Sequence, residues 1–201
     1  MITFTPEEEL LIARLSVVGG WEDEEAAGLK RKIKDYFLAS GVPCCCYCLL
    51  SMSAWHRMTI DIEHVLPKQR FPQYTFDLRN LNISCKRCNM DIKGVDIRFF
   101  LGSPDEPNPF RSELYSLVHP NLDQANKHLM LISVQLGNNQ LIKYVIRAPK
   151  GQYAYEYFDL KEIEANSFSN AQGVDIESIS ESLPPEIVSE LRQVLSAVER
   201  P

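Results

Sequence analysis

Six of the 201 residues are cysteines, and they fall in two groups: Cys44, Cys45, Cys46 and Cys48, then Cys85 and Cys88. Cys45 and Cys48 have the Cys-x-x-Cys spacing, and so do Cys85 and Cys88, with 36 residues between the pairs. A tight turn carrying two thiolates supplies half of a tetrahedral zinc site, and a second such turn completes it. The free energy of binding Zn²⁺ would then be partly free energy of folding, because the metal clamps the segment between the pairs. Only Cys45 stands at the right distance from Cys48, so Cys44 and Cys46 are assigned to packing. Four thiolates can also hold iron in a rubredoxin-like redox site, which a red colour would reveal.

Between the pairs lies "IDIEHVLPKQ", Ile60 to Gln69, which crowds Asp61, Glu63 and His64 into what otherwise alternates like a strand. Acids and imidazoles are poor strand material, and burying them is costly unless each is paired. A strand end or bulge can turn adjacent side chains toward one pocket, and Pro67 ends the strand soon after. Asn89, one residue beyond Cys88, falls on the first turn of a following helix. Carboxylate and amide oxygens are hard donors, so Glu63 and Asn89 are expected to hold Mg²⁺ or Mn²⁺, with water and phosphate completing the shell. His64 would stand beside that ion as the base that takes a proton from attacking water. Asp61, on the same strand face as Glu63, is expected to support the site from behind or to ligate occasionally. Arg87 and Lys93 are candidate phosphate contacts.

These stretches, "CYC", "DIEHVLP", "RNLNISCKRCN" and "DIKG", resemble in their order the HNH endonucleases of the ββα-metal fold. The resemblance covers about Cys45 to Gly94, a quarter of the chain. It implies His64 as the general base, Glu63 as the acidic metal ligand where Asp is commoner, and Asn80 as the residue that fixes the loop orienting the histidine. Asn89 occupies the last position, where His is frequent. Cys45, Cys48, Cys85 and Cys88 match the zinc ligands of the zinc-bearing subset. The expected activity is metal-dependent hydrolysis of DNA phosphodiesters; the motifs do not separate DNA from RNA as the substrate. Small HNH proteins of this build, the PtuB-like subunits of Septu-type and retron-associated anti-phage modules, pair with an ATPase, and a partner ATPase is expected here on that likeness. The competing class is a zinc-knuckle module that binds nucleic acid without cutting it; such a module does not need Glu63, His64 and Asn89 together.

The elements that must position these residues read as an α+β chain. Three parts are expected: an N-terminal helical segment (1–43), the HNH ββα-metal unit stapled by a four-cysteine zinc site (44–101) and a C-terminal α+β extension (102–201). Thr5-Pro6-x-Glu8 carries a capping box with proline in the first turn. A second helix is expected from about Glu22 to Ser40, on the stripe Ala26, Leu29, Ile33, Tyr36, Phe37. These helices are read as packing elements without chemistry. "MTIDIEHV" and "LRNLNIS" read as strands and "CKRCNMDIKG" as a helix start. Farther on, a short helix is expected near Leu122 to Leu129, then a hairpin about Gly137-Asn138-Asn139, a strand in "YAYEYFDL" and a terminal helix in "LPPEIVSELRQVLSAVE". His119 and His128 are assigned to structure.

Composition narrows the classes. The chain is 45% hydrophobic and 24% charged, an ordinary globular balance. It has no apolar run long enough to span a membrane and no basic-then-apolar leader at its start, so a cytoplasmic place is expected. Net charge is −6, yet Arg57 to Arg98 holds eight basic residues against five acidic ones, +3, which leaves −9 for the remainder. A polyanion would meet that middle segment.

Overall fold

The computed structural model describes residues 2–39, 41–136, 139–166 and 188–189. The terminal helix expected over "LPPEIVSELRQVLSAVE" lies outside the described residues, apart from Val188 and Ser189, which are helical. The architecture is mixed α+β with two small sheets.

Helix α1 (Pro6–Val18) starts as its sequence dictates. Thr5 Oγ1 accepts from the Glu8 amide, the Glu8 carboxylate accepts from the Thr5 amide at 2.8 Å, and Pro6 fills the first turn. Gly19 ends the helix in the left-handed region at φ 64°, where a side chain would be strained. One short turn (Gly20–Glu22) carries Trp21 inward before α2 (Ala26–Ala39) begins. Leu15, Trp21, Ala26, Leu29 and Ile33 form a small core with Phe76 and Leu81, which fastens both helices to the middle of the chain.

The middle is a hairpin and a helix. Strand β1 (Ile60–His64) pairs antiparallel with β2 (Leu81–Cys85), Asp61 opposite Ser84 and Glu63 opposite Asn82. A seven-residue π-helix (Arg87–Lys93) follows β2 and closes with the Gly94 amide on the Asn89 carbonyl at 2.8 Å. Wide helical turns of this kind cost backbone geometry and concentrate at functional positions. The loop between the strands is pinned by Asn80, fully buried. Its amide nitrogen donates to the Leu66 and Tyr74 carbonyls at 3.0 and 3.1 Å, and its oxygen accepts from the Leu66 amide at 2.8 Å.

The C-terminal part packs on this unit. Strands β3 (Leu129–Leu136) and β4 (Asn139–Ile146) form the hairpin expected from sequence, with a two-residue β5 (Ala165–Asn166) beside β4. Near Leu122 to Leu129 the helix shrinks to one turn (Ala125–Lys127). The strand expected in "YAYEYFDL" is instead most of helix α3 (Pro149–Tyr157), started by Pro149. Tyrosines favour strands, but the segment continues the helix that Pro149 starts, and Gly151 lies so close to the His128 carbonyl that a Cβ there would stand 1.8 Å from the oxygen. Tyr144 donates to the Cys48 carbonyl at 2.6 Å, and Arg87 donates to the Phe158 and Asp159 carbonyls at 2.8 and 2.9 Å. One continuous buried core therefore runs from Cys45 to Leu160.

Candidate functional site

The four cysteines meet. Cys45, Cys48, Cys85 and Cys88 are all buried, with their sulfurs within 4.8 Å of one another. A tetrahedron of Zn–S bonds about 2.3 Å long puts sulfurs about 3.8 Å apart, and Cys48 Sγ lies 3.9 Å from Cys85 Sγ. The donor set therefore fits Zn²⁺. Backbone geometry makes both halves. Leu49 turns left-handed (φ 61°) so that its amide reaches the Cys45 carbonyl at 2.9 Å, and the Cys88 amide donates to Cys85 Sγ at 3.5 Å. A leucine in that conformation costs about 1–2 kcal/mol, which a metal held at the adjacent cysteines would offset. Cys46 lies outside the cluster; burial pushes its thiol well above its usual range, so it stays protonated. Among the described residues no other group of three or more Cys, His, Asp and Glu side chains lies close enough to hold a metal.

The acid–histidine strand is wired differently from the sequence expectation. Glu63 is buried, its Oε1 accepting from Lys93 Nζ at 2.8 Å and from the Tyr47 hydroxyl at 2.9 Å. Burial raises the Glu63 carboxyl above its ordinary value, against the pull of the Lys93 ammonium and the two hydrogen bonds. Lys93 also donates to the His64 carbonyl at 2.8 Å. Asn89 instead meets Asp61, its amide nitrogen 3.1 Å from Asp61 Oδ2, while Lys86 takes Oδ1 at 3.0 Å. No hydrogen bond joins Glu63 to Asn89. Of the two candidate phosphate contacts, Lys93 is enclosed with Glu63, and Arg87 donates to the carbonyls that follow α3.

His64 sits on the opposite face of β1. Its Nε2 is 3.0 Å from the Thr75 carbonyl, and Thr75 follows Tyr74, which Asn80 holds. A carbonyl can only accept, so Nε2 carries the proton and Nδ1 the lone pair. Burial, first of all, lowers the imidazole to about 3, so it is neutral at any ordinary pH. Trp21 covers it edge-on, ring centroids 4.4 Å apart, and leaves the residue 8% exposed.

Beside this lies an open groove of about 460 Å³. Trp21, Ile60 and Ile62 line it with Asp61 and Asn89, and α2 supplies Lys30, Arg31 and Lys34 opposite Arg57. Lys34 is held below its ordinary value by burial first, then by the neighbouring charges of Arg57 and Lys86. The sequence reading missed Trp21 and this basic wall. The run "LKRKIK" was the signal available, since several cations within two helical turns mark a charged edge. Tyr47, the partner of Glu63, carried no signal of its own.

These features define a mixed α+β protein with a zinc-competent four-cysteine cluster beside a carboxylate, an amide and a neutral imidazole. No family model matches the chain. It is similar to the Septu protein PtuB of Bacillus thuringiensis, 29% identical over 97 residues, which are 48% of this chain and 32% of that protein. The chain thus spans about a third of the length of the relative it matches. Among the described residues no helix is long and apolar enough to cross a membrane.

Proposed function

We propose that this protein is a divalent-metal-dependent endonuclease of the HNH kind and a component of a bacterial anti-phage system, working with a partner ATPase. The observation that carries the reading is the groove in which Asp61 and Asn89 stand together at the foot of a basic wall, one strand-width from a neutral histidine. The similarity to a Septu protein supports the defence role.

The donors fit a hard cation. An Asp carboxylate and an Asn amide oxygen, with the remaining positions left to water and substrate, suit Mg²⁺ or Mn²⁺. Asp61 and Asn89 are open to the groove, and Glu63 is enclosed with an ammonium, so we assign the cation to Asp61 and Asn89 and make Glu63 a positioning residue. Rotation of the Asn89 amide would aim its oxygen where its nitrogen now meets Asp61, and Lys86 would move to the phosphate. A bound ion of this class neutralises charge growing on the phosphate. Once Trp21 moves aside and water reaches the ring, the imidazole regains basicity, and His64 Nδ1 would then receive the proton of the attacking water, while Thr75 and Asn80 keep the ring oriented. Lys93, bonded to both the Glu63 carboxylate and the His64 carbonyl, holds the end of β1 rigid. Trp21 lines the groove and also covers His64, so its displacement admits substrate to the base.

The test is cleavage of single-stranded and duplex DNA with Mg²⁺ or Mn²⁺, by the protein alone and together with a partner ATPase recovered by co-purification from its own host. Cutting by the wild type that is lost in His64→Ala and Asp61→Asn supports the assignment; equal cutting by His64→Ala removes it. The enclosure of His64 also favours a second reading, a module that binds nucleic acid and leaves it intact. Metal-independent binding with no cleavage under any of these conditions would select that one.

A further inference from the structure

The N-terminal helix α2 packs its apolar side, Ala26, Leu29 and Ile33, against Phe76 and Leu81 and turns a charged side to the groove. Lys30, Arg31 and Lys34 project from it into the groove, and Arg57 answers from the start of the strand unit. The lining itself holds four cations and one acid, Asp61, in a chain whose net charge is −6, and just outside it Glu22 and Asp35 pair with Lys30 and Arg57. A cleft lined by one sign of charge in a chain of the opposite net sign attracts a polyanion to that cleft.

The wall is preset. Lys30 Nζ donates to the Trp21 carbonyl at 2.9 Å, Lys34 Nζ donates to the Arg57 carbonyl at 2.6 Å, and Arg57 pairs with Asp35. Arg31 is exposed, and its guanidinium makes no hydrogen bond or ion pair among the described residues. A guanidinium presents a fork of donors matched to phosphate oxygens, and two of them, Arg31 and Arg57, border this groove. Repeated cations along one wall match a ligand with repeated anions.

From this placement we infer that α2 and Arg57 form a track for a single polynucleotide backbone, which Lys30, Arg31, Lys34 and Arg57 hold by its phosphates and lead to Asp61 and Asn89. The direction of the track rests on the nuclease reading, but binding along it does not. The N-terminal segment is then part of the substrate-binding surface and sets where along the strand the site acts. Contact through phosphates makes the grip indifferent to base sequence.

The experiment measures binding of short fluorescein-labelled single strands, DNA and RNA, to the full-length protein by anisotropy in EDTA, from about 50 to 200 mM salt. Each phosphate contact to a single strand contributes roughly −0.7 to the slope of log K against log salt, so four give about −2.8. Arg31→Glu is expected to weaken binding about tenfold, and Lys30→Ala with Arg31→Ala to reduce the slope to roughly −1.4. Arg98→Glu is the charge-matched control; its side chain is 80% exposed and lies outside the groove, so it leaves binding unchanged. Circular dichroism confirms that each variant is folded. Wild-type protein that binds neither strand, or Arg31→Glu that binds no more weakly than Arg98→Glu, overturns the track. Binding that follows the variants, without any cleavage on adding metal together with the partner ATPase, keeps the track and removes the nuclease. Cleavage with binding insensitive to Arg31 does the reverse.

Discussion

Replacing Lys93 by methionine takes away the cation that touches Glu63 and keeps a side chain of similar length. Both partners are 1% exposed in their side chains, and the ion pair is 2.8 Å long. Removing one member of so enclosed a pair leaves a carboxylate in a low-dielectric pocket, at a cost of about 3–5 kcal/mol. The Tyr47 hydroxyl at 2.9 Å still donates to it, and a proton can neutralise it, so the lower end of that range is the expectation near pH 7. For a chain of this size each kcal/mol moves the melting temperature by roughly 2–4 °C, so a drop of roughly 6–12 °C follows. The effect has a sign in pH. With Lys93 gone, the folded Glu63 pKa rises further above the unfolded value of about 4.3. The variant's deficit is small below that pH and grows as pH rises through it, because only the unfolded chain can shed the proton cheaply. The partner substitution isolates the cause. Glu63→Gln with Lys93→Met removes the stranded charge and recovers much of the loss, though neither side chain is native. The assay is urea unfolding followed by circular dichroism with zinc in excess, at about pH 4 and pH 7.5, the two sides of the carboxyl transition. A loss under about 1 kcal/mol for Lys93→Met at the higher pH, or a double variant no more stable than the single one, would refute a buried pair.

Three further outcomes follow from the same geometry. The purified protein should carry one zinc per four-cysteine cluster by elemental analysis, and Cys48→Ser or strong chelation should lower the melting temperature sharply, since the cluster joins the knuckle, β2 and the π-helix. His64 and His119, both lowered to about 3 chiefly by burial, contribute stability that is complete above pH about 6.5 and is lost as pH falls from there toward 3; His119→Gln should flatten that limb of an acid-unfolding curve. Gly151→Ala would set a Cβ 1.8 Å from the His128 carbonyl, a backbone atom that cannot swing away, and should cost more than about 4 kcal/mol or leave the protein insoluble.

What could be seen in the sequence was what short spacing determines. Thr5, Pro6 and Glu8 act within one turn, and the two Cys-x-x-Cys pairs each lie within one turn, so capping and metal geometry were legible there. The hairpin over residues 129–146 was legible from its alternation and central glycine. Helix α3 was not, because Tyr153, Tyr155 and Tyr157 alternate as a strand would, and the packing of the helix, with Gly151 against the His128 carbonyl, is a tertiary matter. The enclosure of His64 was hidden for the same reason, since Trp21 reaches it across 43 positions of sequence.

The pairing of Glu63 was within reach of argument from order alone. β2 runs against β1, and a helix that follows β2 through a tight turn runs back along β1. Two strand residues advance about 6.6 Å and four helical residues about 6 Å, so positions 61 and 63 on the strand stand opposite positions 89 and 93 on the helix. That ladder puts Asn89 on Asp61 and Lys93 on Glu63, as the structure has it, and it leaves no rung between Glu63 and Asn89. The same ladder separates duties by depth. Its outer rung, at the groove, has a carboxylate and an amide that an incoming cation can take, and its inner rung has a neutralised pair that such a cation would have to break. A divalent ion that entered at Glu63 would face the Lys93 ammonium at hydrogen-bond distance, and that repulsion favours the outer rung. Metal titration separates the two: Asp61→Asn should abolish Mn²⁺ binding in the groove while leaving the melting temperature within a few degrees, whereas Glu63→Gln should lower the melting temperature and spare the ion. A reversed pattern would move the cation inward to Glu63.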